Sequence, residues 1–293
     1  MKEMKLAYYP GCSLHSSSVE YDISTRKVCA ALGIELVEVK DWICCGSSPA
    51  HQYDDLMSVA LPAKNLAMVR QTDDLKQVCA PCASCYSRLK VTQQRLKDDN
   101  LKKDVEKVID MEYPEDIEVL HMLDVVTEKA GIDNIKEKVV KNLSGLKVAC
   151  YYGCLMTRPP KVTGKKQYEN PTQMESLVEA LGAEAVDWNM KTFCCGAAFA
   201  LTKTDVVLEL TKKILTDAEA SDADAISVGC PLCHANLDGR QTQINSKFKT
   251  NFHTPIFYFT ELMGLALGIE AKELGILKHI TDAGKFLNER ALV

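Results

Sequence analysis

The sequence predicts an α/β protein made of two pseudo-symmetric repeated domains, with cysteine clusters at their interface. Three observations lead to this prediction: motifs that recur in order, strands that alternate with helices, and cysteine groups that follow the strands. We expect a first domain over residues 1–140 and a second over residues 141–293. A length of 293 residues suits two domains, and a hydrophobic content of 46% is enough for packed cores.

Four pairs of similar segments occur in the same order in the two halves of the chain. A shared order indicates duplication of a whole domain, because the period is far longer than that of a solenoid repeat. The pairs are LAYYPGCSL (6–14) with ACYYGCLM (149–156), ALGIELVEVKDWICCG (31–46) with EALGAEAVDWNMKTFCCG (179–196), CASCYSRL (82–89) with CPLCHANL (230–237), and LDVVTEKAGID (123–133) with TELMGLALGIE (260–270).

Each copy is expected to contain three strands, with helices between them. Such alternation predicts parallel βαβ units, in which ligands gather at the carboxyl ends of the strands, and all cysteine groups lie there. The predicted strands are Lys5–Tyr9, Glu35–Val39 and Gln77–Ala80, then Lys147–Tyr152, Glu184–Trp188 and Ala225–Gly229. The predicted helices are Glu20–Leu32, Tyr53–Gln71, Thr172–Leu181 and Asp205–Glu219.

Charge and hydropathy restrict the partners and the location of the chain. A net charge of −5 argues against a nucleic-acid surface. The start lacks the long apolar region of a signal peptide, and the most apolar stretch, Ile256–Ile269, is too short to span a bilayer. We therefore expect a cytoplasmic chain without membrane insertion. The charged segment 88–116 has a helical pattern and is expected to be an insertion with a solvated face.

Thirteen cysteines are many for this length, and most occur in pairs and triplets. Disulfides are rare in a reducing cytosol, and an odd number of grouped cysteines favours ligation of a metal or a cluster. The repeat assigns ten of them to two equivalent sets, each with one single cysteine, one vicinal pair and one Cys-x-x-Cys. The first set is Cys12, Cys44, Cys45, Cys82 and Cys85, and the second set is Cys154, Cys194, Cys195, Cys230 and Cys233.

Five thiolates per set exceed the four that a tetrahedral zinc ion or an ordinary cubane cluster binds. The surplus predicts an iron–sulfur cluster with an unusual core, or one exchangeable ligand. Gly46 and Gly196, which follow the vicinal pairs, let the backbone approach sulfur and offer it N–H groups. The alternative is a pair of zinc sites with the extra cysteines buried as small hydrophobic side chains. That alternative does not explain why the vicinal pair recurs.

Three cysteines lie outside the repeated sets. Cys29 aligns with a valine on an apolar helix face and is expected in the core. Cys79 aligns with Ser227, which argues against ligation, although it also begins a ferredoxin-like Cys-x-x-Cys-x-x-Cys run. When the two Tyr-Tyr pairs are matched, Cys150 aligns with Ala7 in the first strand.

The doubled pattern that ends in Cys-Cys-Gly and Cys-x-x-Cys resembles the CCG-domain family. The resemblance to the B subunit of heterodisulfide reductase covers essentially the whole chain and rests on YYGC, the two CCG loops, CASCY and GCPLCH. It implies two non-cubane 4Fe–4S clusters, each bound by five cysteines, that face one another across the site. It also implies reductive cleavage of the coenzyme M–coenzyme B disulfide, or a related small disulfide, to two thiols.

Two routes to this cleavage are open. Either two clusters each deliver one electron, or a protein cysteine exchanges with the disulfide. The exchange route needs a free thiol beside the site, for which Cys79 and Cys150 are the only candidates. Two thiolate products need protons, and His15 and His234, the histidines nearest to cysteines of the sets in sequence, are the candidate donors.

The coenzymes are anionic, so a basic loop after Cys154 is the candidate substrate-binding segment. An ordinary solvated basic loop is the alternative interpretation. The basic residues of this loop are Arg158, Lys161, Lys165 and Lys166.

The chain has no Gly-x-Gly-x-x-Gly and no other nucleotide motif, so neither flavin nor NAD is expected in it. Electrons must come from outside, and the resemblance implies two partners in the same complex, a small iron–sulfur subunit with cubane clusters and the flavin subunit that feeds it. The alternative function is a non-catalytic electron-transfer subunit, since CCG domains also occur in subunits of lactate, glycerol-phosphate and succinate or fumarate oxidoreductases. Two complete cysteine sets favour the catalytic function.

Overall fold

The computed structural model describes residues 4–47 and 49–290, so residues 1–3 and 291–293, at the outer ends of the two predicted domains, lie outside the described part. The strands are β1 (Met4–Tyr8), β2 (Ile34–Glu38), β3 (Gln77–Ala80), β4 (Glu118–His121), β5 (Lys147–Tyr151), β6 (Glu184–Ala185), β7 (Ala225–Val228) and β8 (Ile256–Tyr258). The helices of the first half are α1 (Gly11–Leu14), α2 (Val19–Leu32), α3 (Ala50–Tyr53), α4 (Asp55–Gln71), α5 (Ala83–Arg95), α6 (Asp99–Ile109), α7 (Met122–Asp124) and α8 (Ile132–Glu137), with a π-helix at Val125–Gly131. Those of the second half are α9 (Pro160–Thr163), α10 (Gln173–Ala180), α11 (Thr204–Ala220), α12 (Pro231–Leu237), α13 (Gln241–Phe248), α14 (Phe259–Ala266), α15 (Ala271–Leu274) and α16 (Ala283–Glu289), with 3₁₀ turns at Ala197–Phe199 and Ile276–Lys278.

The eight strands form two parallel sheets with one shared topology. The first sheet has the order β2-β1-β3-β4, and the second has the order β6-β5-β7-β8. Parallel neighbours require crossover connections, which the helices supply. In both sheets the chain runs to one side of the first strand and then to the other, which creates a crevice at the carboxyl ends of the strands. The prediction of two repeated α/β units is therefore confirmed.

The three strands predicted in each copy are present, but two features differ from expectation. Strand β6 ends at Ala185, before the predicted end at Trp188, whose indole N–H donates to the Cys150 carbonyl at 3.0 Å. The fourth strands, β4 and β8, were not predicted. Each is a run of three or four residues, too short for a periodicity to be recognised.

The strand register corrects one alignment. Cys79 and Ser227 both lie three residues before a Cys-x-x-Cys, and they pair with Tyr8 and Cys150 respectively. Cys150 is thus equivalent to Tyr8, and the predicted equivalence with Ala7 is wrong. The two Gly-Cys turns are in register, whereas the two tyrosine pairs are shifted by one position.

Residues 81–117 link β3 to β4 through α5 and α6, and residues 229–255 link β7 to β8 through α12 and α13. The charged segment 88–116 belongs to the longer of these two connections. Several of its charges form exposed surface ion pairs, such as Arg95 with Asp55 at 2.7 Å and Lys102 with Glu115 at 2.6 Å. The domain bounds stay a prediction.

The two halves share a buried interface in which α2 packs against β8 and α14. The ring of Tyr21 stacks on that of Tyr258 with centroids 4.0 Å apart, and the hydroxyls of Ser24 and Thr260 lie 2.7 Å from each other. All four side chains are buried. The apolar stretch Ile256–Ile269 therefore packs inside the protein. Across the two described ranges, none of the helices combines the length and the apolar character that a membrane span requires.

Candidate functional site

Each cysteine group of the first half follows the carboxyl end of a strand. Cys12 lies in α1 directly after β1, the pair Cys44–Cys45 follows β2, and Cys82 is the N-cap of α5 after β3. Because neighbouring parallel strands end at the same edge of the sheet, segments far apart in sequence bring their sulfur atoms together. The second half repeats this arrangement after β5, β6 and β7.

Equivalent sulfur contacts form in the two sets. The Sγ atoms of Cys45 and Cys85 lie 3.4 Å apart, and those of Cys195 and Cys233 lie 3.5 Å apart. These four side chains are buried, whereas Cys12, Cys44 and Cys194 are exposed. Each set thus combines buried sulfur with sulfur at the surface.

A glycine makes room for sulfur in each set. A Cβ atom on Gly11 would lie 2.8 Å from Cys85 Sγ, and one on Gly153 would lie 3.0 Å from Cys233 Sγ. Both glycines also have positive φ angles, of 67° and 64°. Any side chain at these positions would therefore clash with sulfur and strain the backbone.

The two sets meet at Cys82 and Cys230, where the interaction of the two thiols across the halves raises the pKa of Cys82 and contributes to the lowered pKa of Cys230. The turn before Cys230 is held by the first half, because His121 Nε2 donates to the Gly229 carbonyl at 3.0 Å. The hydroxyl of Tyr21 lies 3.5 Å from the same carbonyl and 3.3 Å from the carbonyl of the residue before Cys82. The predicted convergence of the cysteine groups at the interface is confirmed.

Hydrogen bonds favour the thiolate at one position of each vicinal pair. The thiol of Cys12 hydrogen-bonds to Cys44 and lowers its pKa, and the thiol of Cys154 lowers the pKa of Cys194 in the same way. The backbone N–H of Gly196 also donates to Cys194 Sγ at 3.3 Å, as the sequence predicted. Thiolates are the form in which cysteine binds metal.

A cavity of about 210 Å³ opens between the halves, beside the second cysteine set. All five cysteines of that set line it, together with Tyr152. The opposite wall comes from the first half and consists mainly of the first two turns of α5. Its residues are Ser47, His51, Ala83, Ser84, Ser87 and Arg88.

Neither predicted proton donor lines this cavity. His15 is at the surface, where its Nε2 lies 3.2 Å from a carboxylate oxygen of Glu38. His234 is buried behind the second set, with its ring stacked on Tyr258 and its Nε2 donating to the Ile256 carbonyl at 3.1 Å. Burial lowers the pKa of His234 well below its usual value, so its ring is neutral. Both assignments stay predictions.

The basic loop of the second half also lies outside the lining of the cavity. Arg158 pairs with Glu169, and Lys165 reaches across to Asp124 in the first half. These side chains are engaged in ion pairs within the protein. The residues predicted from this loop to bind substrate were Arg158, Lys161, Lys165 and Lys166.

A family model described as the CCG cysteine-rich domain matches residues 6–90 and 148–238. Together these matches cover more than half of the chain and contain all ten cysteines of the two sets. The chain belongs to the CCG family.

Two curated relatives match this CCG protein over nearly its full length. It is 34% identical to the 8-methylmenaquinol:fumarate reductase membrane anchor subunit of Wolinella succinogenes, over 97% of this chain and 99% of that protein. It is 29% identical to the B subunit of a ferredoxin/F420H2-dependent CoB-CoM heterodisulfide reductase of Methanosarcina acetivorans, over 97% and 96%. Both names describe subunits of reductases.

A solved structure, that of a hypothetical protein from Helicobacter pylori, matches 97% of this CCG chain with a TM-score of 0.74 and 12% identity. The CCG chain spans 53% of that structure's length. The likeness supports the fold alone.

The donor set of this CCG protein fits iron–sulfur clusters. Both sets offer thiols only, and soft thiolates are the ligands that such clusters use. In the described ranges, no three His, Cys, Asp or Glu side chains are grouped around the position of a single ion. A cluster distributes its ligands over several iron atoms, so its thiolates need not converge on one point.

The cysteines outside the sets are core residues. Cys29, Cys79 and Cys150 are all buried, and burial raises the pKa of each thiol. The Sγ atom of Cys79 lies 3.5 Å from Met122 Sδ, and that of Cys29 lies 4.0 Å from the same sulfur. The expectation that Cys29 belongs to the core is confirmed.

Sequence analysis missed the wall that the first half contributes. Ser87 and Arg88 lie three and four positions after Ser84 on α5, so helical geometry brings both next to Ser84 on its surface. The available signal was that all three residues lie within one helical turn of Cys85. Arg88 was overlooked because the segment from residue 88 onward was interpreted as a solvated face.

The residue equivalent to Arg88 in the second copy, Asn236, was also missed. Its Nδ2 donates to the carbonyl oxygen of Cys195 at 3.2 Å and lies 3.5 Å from Cys195 Sγ. Asn236 is buried and therefore supports a cysteine of the second set from inside the protein.

Proposed function

We propose that this chain is the catalytic subunit of a disulfide reductase of the heterodisulfide reductase type. In this proposal it holds two 4Fe–4S clusters, one on each cysteine set, and acts on a small disulfide in the cavity between the halves. The observation that carries the proposal is the contact between Cys82 and Cys230, which joins the two sets beside that cavity.

The reaction adds two electrons and two protons to an S–S bond and gives two thiols. When bound, two clusters would supply those electrons one at a time, one from each set. The chain's own task is to hold the disulfide in this cavity, beside the second set and near the point where Cys230 meets Cys82. The cavity is confined by α5 on one side and by the second set on the other, which suits the positioning of a short substrate arm.

The positions of the remaining cysteines support this route over thiol exchange. An attacking thiol has to be accessible and ionised. Cys79 and Cys150 have no exposed surface, and burial raises the pKa of both. Neither lines the cavity.

The proposed partners are a small subunit with iron–sulfur clusters and a flavin-containing subunit, which would pass electrons to this chain. Relatives of this chain are named as subunits of heterodisulfide reductases, which supports a role in a larger complex. We propose a cytoplasmic location for that complex and a proton supply from His15 or His234.

The test is reduction of a disulfide by anaerobically prepared, iron-loaded protein with a reduced viologen as donor. We expect two viologen radicals to be oxidised, and two thiols to appear, for each coenzyme M–coenzyme B disulfide consumed. Protein that contains iron and acid-labile sulfide but turns over no disulfide would contradict the proposal.

The second candidate is an electron-transfer subunit of a quinol-linked fumarate reductase. It is favoured by the 34% identity with the Wolinella succinogenes subunit. The same preparation distinguishes the two. A menaquinol analogue that reduces the oxidised protein, while the reduced protein turns over no disulfide, would favour the second candidate.

A further inference from the structure

Arg88 is a cation in the wall of the cavity. Each of the six other arginines makes a hydrogen bond or an ion pair with a described residue, as Arg95 does with Asp55. Arg88 makes neither within residues 4–47 and 49–290. The cavity lining of these ranges also contains no Asp or Glu.

Arg88 has donors beside it. Ser84 and Ser87 line the same wall, and the Ser84 hydroxyl is 2.9 Å from that of Ser47. A planar guanidinium with neighbouring hydroxyl groups matches an oxyanion such as a carboxylate, a sulfonate or a phosphate ester. The cavity volume equals that of roughly seven water molecules, so it has space for one short substrate arm.

The equivalent position in the other copy has a different task. Asn236 uses its amide to hold Cys195 and does not line the cavity. Among the described residues that line the cavity, Arg88 is the only arginine or lysine, and it comes from the first half. An unsymmetrical disulfide would thus bind in one orientation.

We propose that Arg88 binds an oxyanion on one arm of the substrate and so directs the sulfur of that arm to the second cysteine set. This inference rests on the proposed function, which it deepens by naming the residue that would set the orientation of the substrate.

The test is calorimetric titration of anaerobic, iron-loaded protein with 2-mercaptoethanesulfonate and with uncharged 2-mercaptoethanol, which differ only in the headgroup. Arg88→Gln should weaken sulfonate binding by roughly 10- to 100-fold and leave binding of the alcohol within about 3-fold. Arg88→Lys, which keeps the charge but loses the planar fork, should fall in between. The matched control is Lys90→Gln, since Lys90 is on the same helix but lines a different cavity.

Iron content and the EPR midpoint potentials of both clusters are measured on each variant. Equal sulfonate affinity in the wild type and Arg88→Gln overturns the inference. So does a variant whose only change is a shifted potential, because Arg88 would then serve to offset cluster charge. Sulfonate binding that depends on Arg88, in a protein that reduces no disulfide, would support the oxyanion site and contradict the proposed function.

Discussion

The two cysteine sets share the same glycine packing against a cysteine sulfur, but the residues at equivalent positions near the cavity have different contacts. Gly11 and Gly153 make the same close approach to a cysteine in their own halves. In contrast, Arg88 faces the cavity, whereas the equivalent Asn236 supports Cys195. The comparison teaches that the duplicated scaffold repeats the sulfur positions, while the residues that surround the cavity differ between the copies.

A second difference lies at the helix that follows each fourth strand. Asp124 and Glu261 occupy equivalent positions, and each accepts a hydrogen bond from the backbone at the start of its helix. Asp124 pairs with Lys165, whereas Glu261 pairs with His279 at 2.9 Å. The second half therefore has a buried carboxylate–histidine pair at this position.

The largest expected effect tests the equivalence of the two sets. Cys45→Ala and Cys195→Ala should each remove about four of about eight iron atoms per chain, because each set holds one cluster. Both variants should lose disulfide-reductase activity, since one electron cannot complete the reaction. Iron and acid-labile sulfide analysis with the viologen assay measures this.

Zinc as the main metal of the wild type would contradict the first prediction. Loss of all iron from either variant would show that the two sets assemble as one unit.

The next effect concerns the residue that distinguishes the second set. Asn236→Leu removes the donor to Cys195 and leaves a buried carbonyl unpaired, which should lower the free energy of unfolding by about 1–3 kcal/mol. It should also lower the midpoint potential of one cluster, because a hydrogen bond to sulfur stabilises the reduced form. Chemical denaturation and EPR-monitored titration measure the two effects. A shift of both potentials by the same amount would refute the assignment of Asn236 to the second set.

Cys29 tests whether the repeat has identified the ligands. Cys29→Ala should keep both clusters and full activity and should destabilise the protein by about 1–2 kcal/mol, through loss of packing against Met122. Cys79→Ser and Cys150→Ser should likewise retain iron and most of the activity. Iron lost from any of these variants would mean that a ligand has been misassigned, and activity lost with iron intact would favour thiol exchange.

The smallest expected effect is a pH dependence confined to the second half. Burial lowers the pKa of His279, but the charge and the hydrogen bond of Glu261, together with the charges of Asp238 and Glu20, outweigh burial and the pKa is raised. The folded protein thus holds this proton more tightly, and the stabilisation is complete below the ordinary pKa of about 6.5 and lost as pH rises through the folded value. Burial also raises the pKa of Glu261, which acts in the same direction.

The Tm should therefore fall by about 1–3 °C between pH 6 and pH 8, and His279→Gln should flatten this dependence. Lys165→Gln, which removes the partner of the equivalent Asp124, should leave the dependence unchanged. A wild-type Tm that rises with pH over this window would contradict the argument.

Most features that are encoded by a short run of neighbouring residues could be predicted from the sequence. The Cys-Cys-Gly loops, the glycine N–H that reaches Cys194 and the first three strands of each copy follow from short motifs. Contacts between halves were not predictable in this way. Tyr21 and Tyr258 stack although 236 other residues separate them in sequence, and no motif encodes that pairing.

Charged residues were the least predictable part of the site. Arg158 and Lys165 follow the second set closely in sequence, but acidic partners hold them outside the cavity. Arg88 looked like part of a solvated helix, yet the second half lies over that end of α5. A charge count records the presence of a cation, whereas its role depends on which carboxylates the fold brings to it.

His121 donates a hydrogen bond to the Gly229 carbonyl, and the Tyr21 hydroxyl lies between that carbonyl and the carbonyl of Pro81. These contacts hold the turns before Cys82 and Cys230 against each other, so the first site depends on residues that are translated late. Chains fold as they leave the ribosome, starting from the N-terminal end. The Cys82 turn of a nascent first half has no Cys230 beside it, because that residue has not yet been translated. We expect iron to be inserted after synthesis is complete, and a gene split near residue 140 to yield fragments that must associate before either can keep its iron in the presence of oxygen.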